Sequence, residues 1–321
     1  MRSGLFRQVR EACQQVATQA MHVHIKHERI PVYAASLPLD TIRRPEHDPA
    51  SHYLGHGDDT VAFFLTLDAI NFGSGYFPHL RKRPGMSGYF TIASSLNERF
   101  QESGPFPASE LAQLTLQDCM GIFGQDRSNV AIAELMQLFA NALNDLGRYL
   151  AQHFEGSYIG LVESANRSAE RLAALLSEMP YFHDVSAYGD RQVPFYKRAQ
   201  ITPADLSIAF AGQAWGRFDD LDRLTIFADN LVPHVLRVDG ILQYEDPLLQ
   251  RIEREDLVAS GSAEEVEIRA CSVHAVELLS AELYRTGQKV PPMKLDYLLW
   301  NRGQKPQYKA QPRHRTRTVF Y

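Results

Sequence analysis

The chain is short of the features that announce most functions. It has three cysteines in 321 residues, Cys13, Cys119 and Cys271. They lie far apart and fit no metal-binding spacing. So sparse and odd a set suits a reducing compartment better than a disulfide framework. No run approaches the ~18 apolar residues of a membrane span. The first residues, Met-Arg-Ser-Gly-Leu-Phe-Arg-Gln-Val-Arg-Glu, are amphipathic and lack the apolar run of a signal peptide. A cytoplasmic location is therefore expected, with no membrane partner. Positive charge is not in excess: the net charge is -5. That argues against a general nucleic-acid binder, which needs a basic face for phosphates, but leaves room for a local phosphate pocket. There is no Walker sequence, no Rossmann glycine pattern and no nucleophile elbow. Internal repeats, low-complexity segments and long linkers are also missing. Residues 1–321 are read as one unit, in one or two lobes, and as a monomer.

What is present describes an ordinary globular protein, with 45% hydrophobic and 22% charged residues. The length suffices for one large core or two smaller ones. Helical spacing dominates. Helices are expected over 5–21, from Ile30, over 89–102, 108–123, 129–153 and 164–179, and from Thr202-Pro203 onward. Ser128 is the expected cap of the longest, whose buried stripe runs from Val130 to Leu150. Ser262 and Glu265 suggest a capping box for a helix over 263–286 ended by Gly287. A short helix is expected over 295–300. Strand signals are short. Val23 and Ile25 look extended, residues 184–201 read as a hairpin turning at Gly189-Asp190, and 316–321 favours a docked strand. On that hairpin the adjacent Lys197 and Arg198 would point oppositely. The polar loop 40–59 carries His47, His52 and His56. Their spacing is irregular and no cysteine or acid pattern supports them, so no metal and no cofactor are expected.

One stretch stands out. Residues 224–236 read Leu-Thr-Ile-Phe-Ala-Asp-Asn-Leu-Val-Pro-His-Val-Leu, with a single acid, Asp229, among apolar residues. An ionised carboxylate loses solvation in such surroundings. Pro233 lacks an N–H and fits the first turn of a helix, which puts Asp229 at or just before that helix's N-terminus. Two readings stand at this point. Asp229 caps the helix, or its charge is held for a cation that develops during a reaction.

Several motifs, in order, decide more. They are 195–201 (Phe-Tyr-Lys-Arg-Ala-Gln-Ile), 227–229 (Phe-Ala-Asp) with Pro233, 265–269 (Glu-Val-Glu-Ile-Arg) leading to Cys271-Ser272, 295–300 (Leu-Asp-Tyr-Leu-Leu-Trp), 68–72 (Asp-Ala-Ile-Asn-Phe), and His314-Arg315 in the tail. With them the chain resembles the queuosine salvage protein family, the queuosine 5′-phosphate N-glycosylases (hydrolases). The match runs from about residue 60 to the C-terminus, and the first 60 residues match more loosely. The resemblance implies a mainly α fold with a few short strands, like the helical core of helix-hairpin-helix DNA glycosylases. There a catalytic Asp sits ahead of an apolar helical run, the place of Asp229. The chain has no Leu-Pro-Gly-x-Gly hairpin to grip DNA. With the negative net charge, that points to a free nucleotide and no direct nucleic-acid contact.

The implied reaction hydrolyses the N-glycosidic bond of queuosine 5′-monophosphate, releasing queuine and ribose 5-phosphate for salvage into tRNA modification. Positive charge develops on the sugar, and the resemblance assigns its stabilisation, or attack upon it, to Asp229. It also implies base contacts at Asp296, Tyr297 and Phe227. Asp296 would accept the two parallel donors of a guanine-like edge, and Phe227 would stack. Asn301 stands where family members carry Asp, so it hydrogen-bonds where they pair with a cationic amine. His52 best matches a binding histidine in the N-terminal loop, with His47 and His56 as alternatives. From charge alone, Lys197 is the favoured 5′-phosphate contact. Two rival readings remain: a non-catalytic nucleobase- or queuine-binding protein, and an N-glycosylase for another nucleotide.

Overall fold

Helix Asp58–Ala69 has no polar face: every residue from Thr60 to Ala69 is buried. A helix apolar all round belongs in the middle of a protein, and other helices surround it in the computed structural model, which describes residues 4–41 and 45–321. Lys197–Ala209 lies against it and against Ala169–Leu176, and Val130–His153 covers another side. Val130–His153 in turn carries Ala108–Leu111 and Leu116–Ile122. A second apolar cluster gathers Leu5–Gln19, Ile30–Ser36, Leu231–Val238, Ala263–Arg285 and Pro292–Gly303. The protein is mainly helical. Among the described residues the strands form two antiparallel pairs, Val23–Ile25 with Leu242–Tyr244 and Val185–Tyr188 with Arg191–Pro194. The second pair turns at Gly189-Asp190, as the sequence suggests, with Gly189 at φ 60°. Among the described residues no helix is long and apolar enough to cross a membrane.

Several expectations need correction, each for a physical reason. The region 108–123 holds two helices, because Thr115 and Asp118 form a reciprocal capping box that starts a new one. Likewise 164–179 is broken. Tyr158–Ser164 stops, Asn166 and Arg167 take positive φ, and Ser168 caps Ala169–Leu176. Asn129, not Ser128, caps the longest helix through Ile132 N–H at 3.3 Å, and Val130 is 81% exposed rather than buried. Only half of the Ser262 capping box forms, since Glu265 reaches back to Gly261 N–H instead. The tail 316–321 is not a strand. Its carbonyls are taken singly, Val319 by Arg198 and Tyr321 by Gly73 N–H, and Tyr321 is buried. The loop expected over 40–59 lies partly outside the described residues, at 42–44.

The correction that matters most concerns residues 197–201. They are the first turn of helix Lys197–Ala209, not the end of a strand. Tyr196 turns the chain in the left-handed region (φ 51°), and the carboxylate of Asp184 accepts from Lys197 N–H at 3.0 Å. An acid thirteen residues away does the work of a cap, so the local Thr202-Pro203 signal marks the helix interior instead. Lys197 and Arg198 are therefore about 100° apart on a helix rather than opposed on a strand.

Candidate active site

Segment 224–229 is irregular and runs into helix Leu231–Val238. It has no neighbouring strand, so side chains satisfy its backbone. Thr225 N–H donates to Gln200 at 3.0 Å and Phe227 N–H to Asp296 Oδ1 at 2.9 Å. The carbonyl of Ala228 accepts from Arg269 Nε at 3.0 Å. Arg269 is itself fixed by a bidentate pair with Asp184, at 2.9 and 2.6 Å, with both side chains at most 2% exposed. Since Asp184 also accepts from Lys197 N–H, this one buried pair aligns the residue before Asp229 with the start of the Lys197 helix.

Asp229 does cap its helix. Oδ1 accepts from Leu231 N–H at 2.8 Å and Val232 N–H at 3.1 Å. Oδ2 has no hydrogen bond among the described residues, and the half-buried side chain lines a cavity of about 1030 Å³. The cap orients the carboxylate without using its second oxygen. Capping and a reactive role are thus compatible.

The same cavity is lined by all seven residues singled out from the sequence: His52, Lys197, Phe227, Asp229, Asp296, Tyr297 and Asn301. Asp296 is 4% exposed, not a solvent-facing helix residue. Burial, and next the charge of Asp229, push its carboxyl well above the usual range, against the Phe227 N–H and Lys197. Phe227 and Tyr297 meet edge to face at 6.1 Å. The Tyr297 hydroxyl is buried and has no partner. Asn301 sits exposed at the rim. His52 is fixed between the Asp48 carbonyl (3.0 Å) and the Tyr89 hydroxyl (2.9 Å), and burial lowers its pKa. His47 lines the cavity beside it, whereas His56 stacks on Tyr53 and is not among the lining residues. Among the described residues no three His, Cys, Asp or Glu side chains form a metal site.

Lys197 is 6% exposed and donates to the Asn71 carbonyl at 3.2 Å. Burial lowers its pKa, and Asp229 does most to oppose that. Arg198 is committed to the scaffold, bonding the carbonyls of Asp68, Ala69, Tyr181 and Val319. Sequence reading missed Arg313, which lines the cavity within electrostatic reach of Asp229 and has no hydrogen bond or ion pair among the described residues. It also missed Asp205. Lys197, Ile201, Asp205 and Ile208 all line the cavity. Their spacing of four, four and three is a helix face, a signal hidden once 197–201 is taken for a strand.

A deep cavity with aromatic walls, a few convergent polar groups and a carboxylate at a helix N-terminus defines a protein built to hold a small aromatic ligand. The chain belongs to the queuosine salvage protein family, whose model matches residues 51–321. It is 36% identical over 311 residues to a queuosine 5′-phosphate N-glycosylase/hydrolase of Sphaerobacter thermophilus, covering 95% of each chain. It is 31% identical over 334 residues to that of Mus musculus, covering 97% of this chain and 98% of that one. The protein of the same name from Dictyostelium discoideum is 33% identical over 264 residues, covering 82% and 78%.

Proposed function

We propose that this protein hydrolyses the N-glycosidic bond of queuosine 5′-monophosphate to queuine and ribose 5-phosphate, with Asp229 opposing the charge that develops at the anomeric carbon. One observation carries the reading. Asp229 offers a free carboxylate oxygen on the wall of a cavity whose neighbouring wall holds the aromatic and acidic groups a guanine-like base requires. An oxocarbenium-like state needs such a carboxylate, either as nucleophile or as counter-charge. The base has carbon in place of N7, so it cannot leave with N7 protonated and must be helped elsewhere. In this reading Asp296 Oδ2 accepts the N1–H and exocyclic amine of the base, and those donors favour its ionised form. Phe227 and Tyr297 supply the aromatic wall, His52 a fixed polar contact, and Asn301 a hydrogen bond to the side chain of the base. No cofactor takes part, and a single chain suffices. The likeness to the helical core of helix-hairpin-helix DNA glycosylases belongs to the same proposal, resting on an Asp ahead of an apolar helical run.

The test is release of queuine by purified protein from queuosine 5′-monophosphate in buffer alone, with queuosine run beside it. No release from either would leave a nucleobase-binding protein. Release from a different nucleotide only would leave another N-glycosylase.

The 5′-phosphate is assigned to Lys197, with Arg313 as the second cation of that region. Binding energy from this non-reacting group aligns the sugar over Asp229. Lys197→Met deletes the charge and keeps much of the length. It is expected to impair the nucleotide reaction far more than the nucleoside reaction, read as the ratio of kcat/KM values. Parallel losses would mean a structural role for Lys197. An unchanged preference would move the phosphate to Arg313.

Asp296→Ala is expected to weaken binding of free queuine by about 1–3 kcal/mol, because two donors of the base lose their acceptor in a dry pocket. Calorimetry reads this directly. An unaltered affinity would put Asp296 outside the base site.

A further inference from the structure

Asp68 ends the central helix with both carboxyl oxygens buried and without a well-aligned donor; Thr202 and Asn71 lie close enough only to temper it. Its side chain is 0% exposed. The acid it faces is Asp205, on the helix packed against it. Asp205 is 4% exposed and lines the substrate cavity. Two neighbouring carboxyls in a dry place do not readily both ionise, because like charges repel and each has lost its water. The pair favours holding a proton, and Asp205 brings it to the cavity wall.

The surroundings agree. Asp205 is reached by Asp68 from the central helix, by Lys197 on its own helix, and by Asp296 and Tyr297 from helix Pro292–Gly303. His47 Nε2 lies 3.9 Å from Asp205 Oδ1, and Tyr89 is within electrostatic reach on the other side. Burial keeps His47 neutral, with a pKa lowered to about 3, so it adds no positive charge that would ionise Asp205. Lys197 lowers Asp205, and Thr202, Lys197, Asn71 and Arg198 lower Asp68; Lys197 is also shared with Asp229. Burial first and the partner carboxyl second drive Asp205 well above the usual carboxylate range. Asp296 differs in a useful way. Its Oδ1 is already held by a backbone N–H, and its place in the base site is that of an acceptor.

We propose that Asp205, backed by Asp68, is the proton donor to the departing base. This rests on the N-glycosidase reading above and supplies what that reading lacks, help for a leaving group with no N7. Asp205 is within electrostatic reach of Asp296, which takes the N1–H, so the oxygen beside N1 is the acceptor. As the C1′–N9 bond breaks, its electron pair passes to the base and the Asp205 proton goes to that oxygen. The released base tautomerises to its N9–H form in water. Water supplies hydroxide to the anomeric carbon, and its remaining proton returns to the Asp68–Asp205 pair. Atoms and charge balance without a further reactant.

The experiment compares wild type, Asp205→Asn, Asp68→Asn and Asp229→Asn on two substrates. One is queuosine 5′-monophosphate. The other is p-nitrophenyl β-ribofuranoside 5-phosphate, whose nitrophenolate leaves without a proton. Asp205→Asn keeps a hydrogen-bond donor but has no proton to give. It is expected to lose about 10²–10⁴-fold in kcat on the nucleotide and far less on the nitrophenyl substrate. Asp229→Asn should lose both. Queuine affinity of Asp205→Asn, kept within a few-fold, shows that the variant is folded. In wild type, kcat should fall as pH rises through the titration of the pair. That limb should vanish in Asp205→Asn. In Asp68→Asn it should move to lower pH, because the repelling partner is gone. A retained nucleotide rate, parallel losses on both substrates, or an unmoved limb would each overturn the proposal. Should wild type not accept the nitrophenyl substrate, the pH limb decides alone. Failure of wild type to release queuine would instead strike the proposed function.

Discussion

Asp229→Asn is expected to hydrolyse queuosine 5′-monophosphate about 10²–10³-fold more slowly than wild type, or worse, the usual loss when one preorganised charge opposite a developing one is removed. The substitution is a clean probe because of how Asp229 is used. Oδ1 caps the helix through Leu231 and Val232 N–H, and an asparagine oxygen accepts the same two bonds. Only the free Oδ2 changes, from a charged oxygen to a neutral amide. Thermal stability and queuine affinity should therefore hold while kcat collapses. A near wild-type rate would end the assignment of Asp229. A parallel fall in melting temperature would mean that the cap, not the chemistry, had been measured.

The second large effect is expected at Arg269, away from the cavity. Its guanidinium ties Asp184 to the Ala228 carbonyl, and Asp184 ties the first N–H of the Lys197 helix. Arg269→Met keeps much of the side-chain volume but leaves the Asp184 carboxylate buried and uncompensated. Breaking such a pair from one side costs about 3–5 kcal/mol, readable as a drop in urea midpoint. Arg269→Lys should recover only part, since an ammonium cannot make the bidentate contact. Asp184→Asn with Arg269→Met should cost less than the sum of the two single changes, because Asp184 is then not left charged alone, although Glu265, 3.7 Å from Arg269, still loses its cation. A loss below about 1 kcal/mol for Arg269→Met, the worth of an exposed pair, would mean that water reaches Asp184. It would also remove the reason for regarding the Ala228–Asp229 backbone as rigidly held.

Much of the fold is legible because its causes are local. The stripes of 5–21 and 129–153, the Gly189-Asp190 turn and Gly287 after the long helix need only neighbouring residues, and the structure has them within a few positions. The misreadings have two causes. Tyr196 and Asp184 start a helix from a distance, Ser168 and Thr115 interrupt apolar patterns that look continuous, and the tail gives its carbonyls to Arg198 and Gly73 rather than to a strand. The start of the Lys197 helix and the course of the tail depend on bonds from distant parts of the chain, whereas the Thr115–Asp118 box and the Ser168 cap are local signals masked by an apolar pattern that runs through them.

The site divides along the same line. The sequence by itself determined the placing of Asp229 before a helix, because Pro233 and the apolar run fix where that helix starts. Through motif order it also determined the family and six candidate residues, and charge added Lys197; all seven line one cavity. It determined that metal spacing is missing and that the net charge is negative. Only the tertiary structure decided that Asp229 has one oxygen tied and one without a partner among the described residues, and that Arg198 is bound by four carbonyls while Lys197 lines the cavity. Only folding put Arg313, unpaired among the described residues, into the same space. Asp68 and Asp205 stand 137 positions apart (205 − 68) in the sequence and read as two unrelated acids. They become a pair only because folding buries both and packs their helices together.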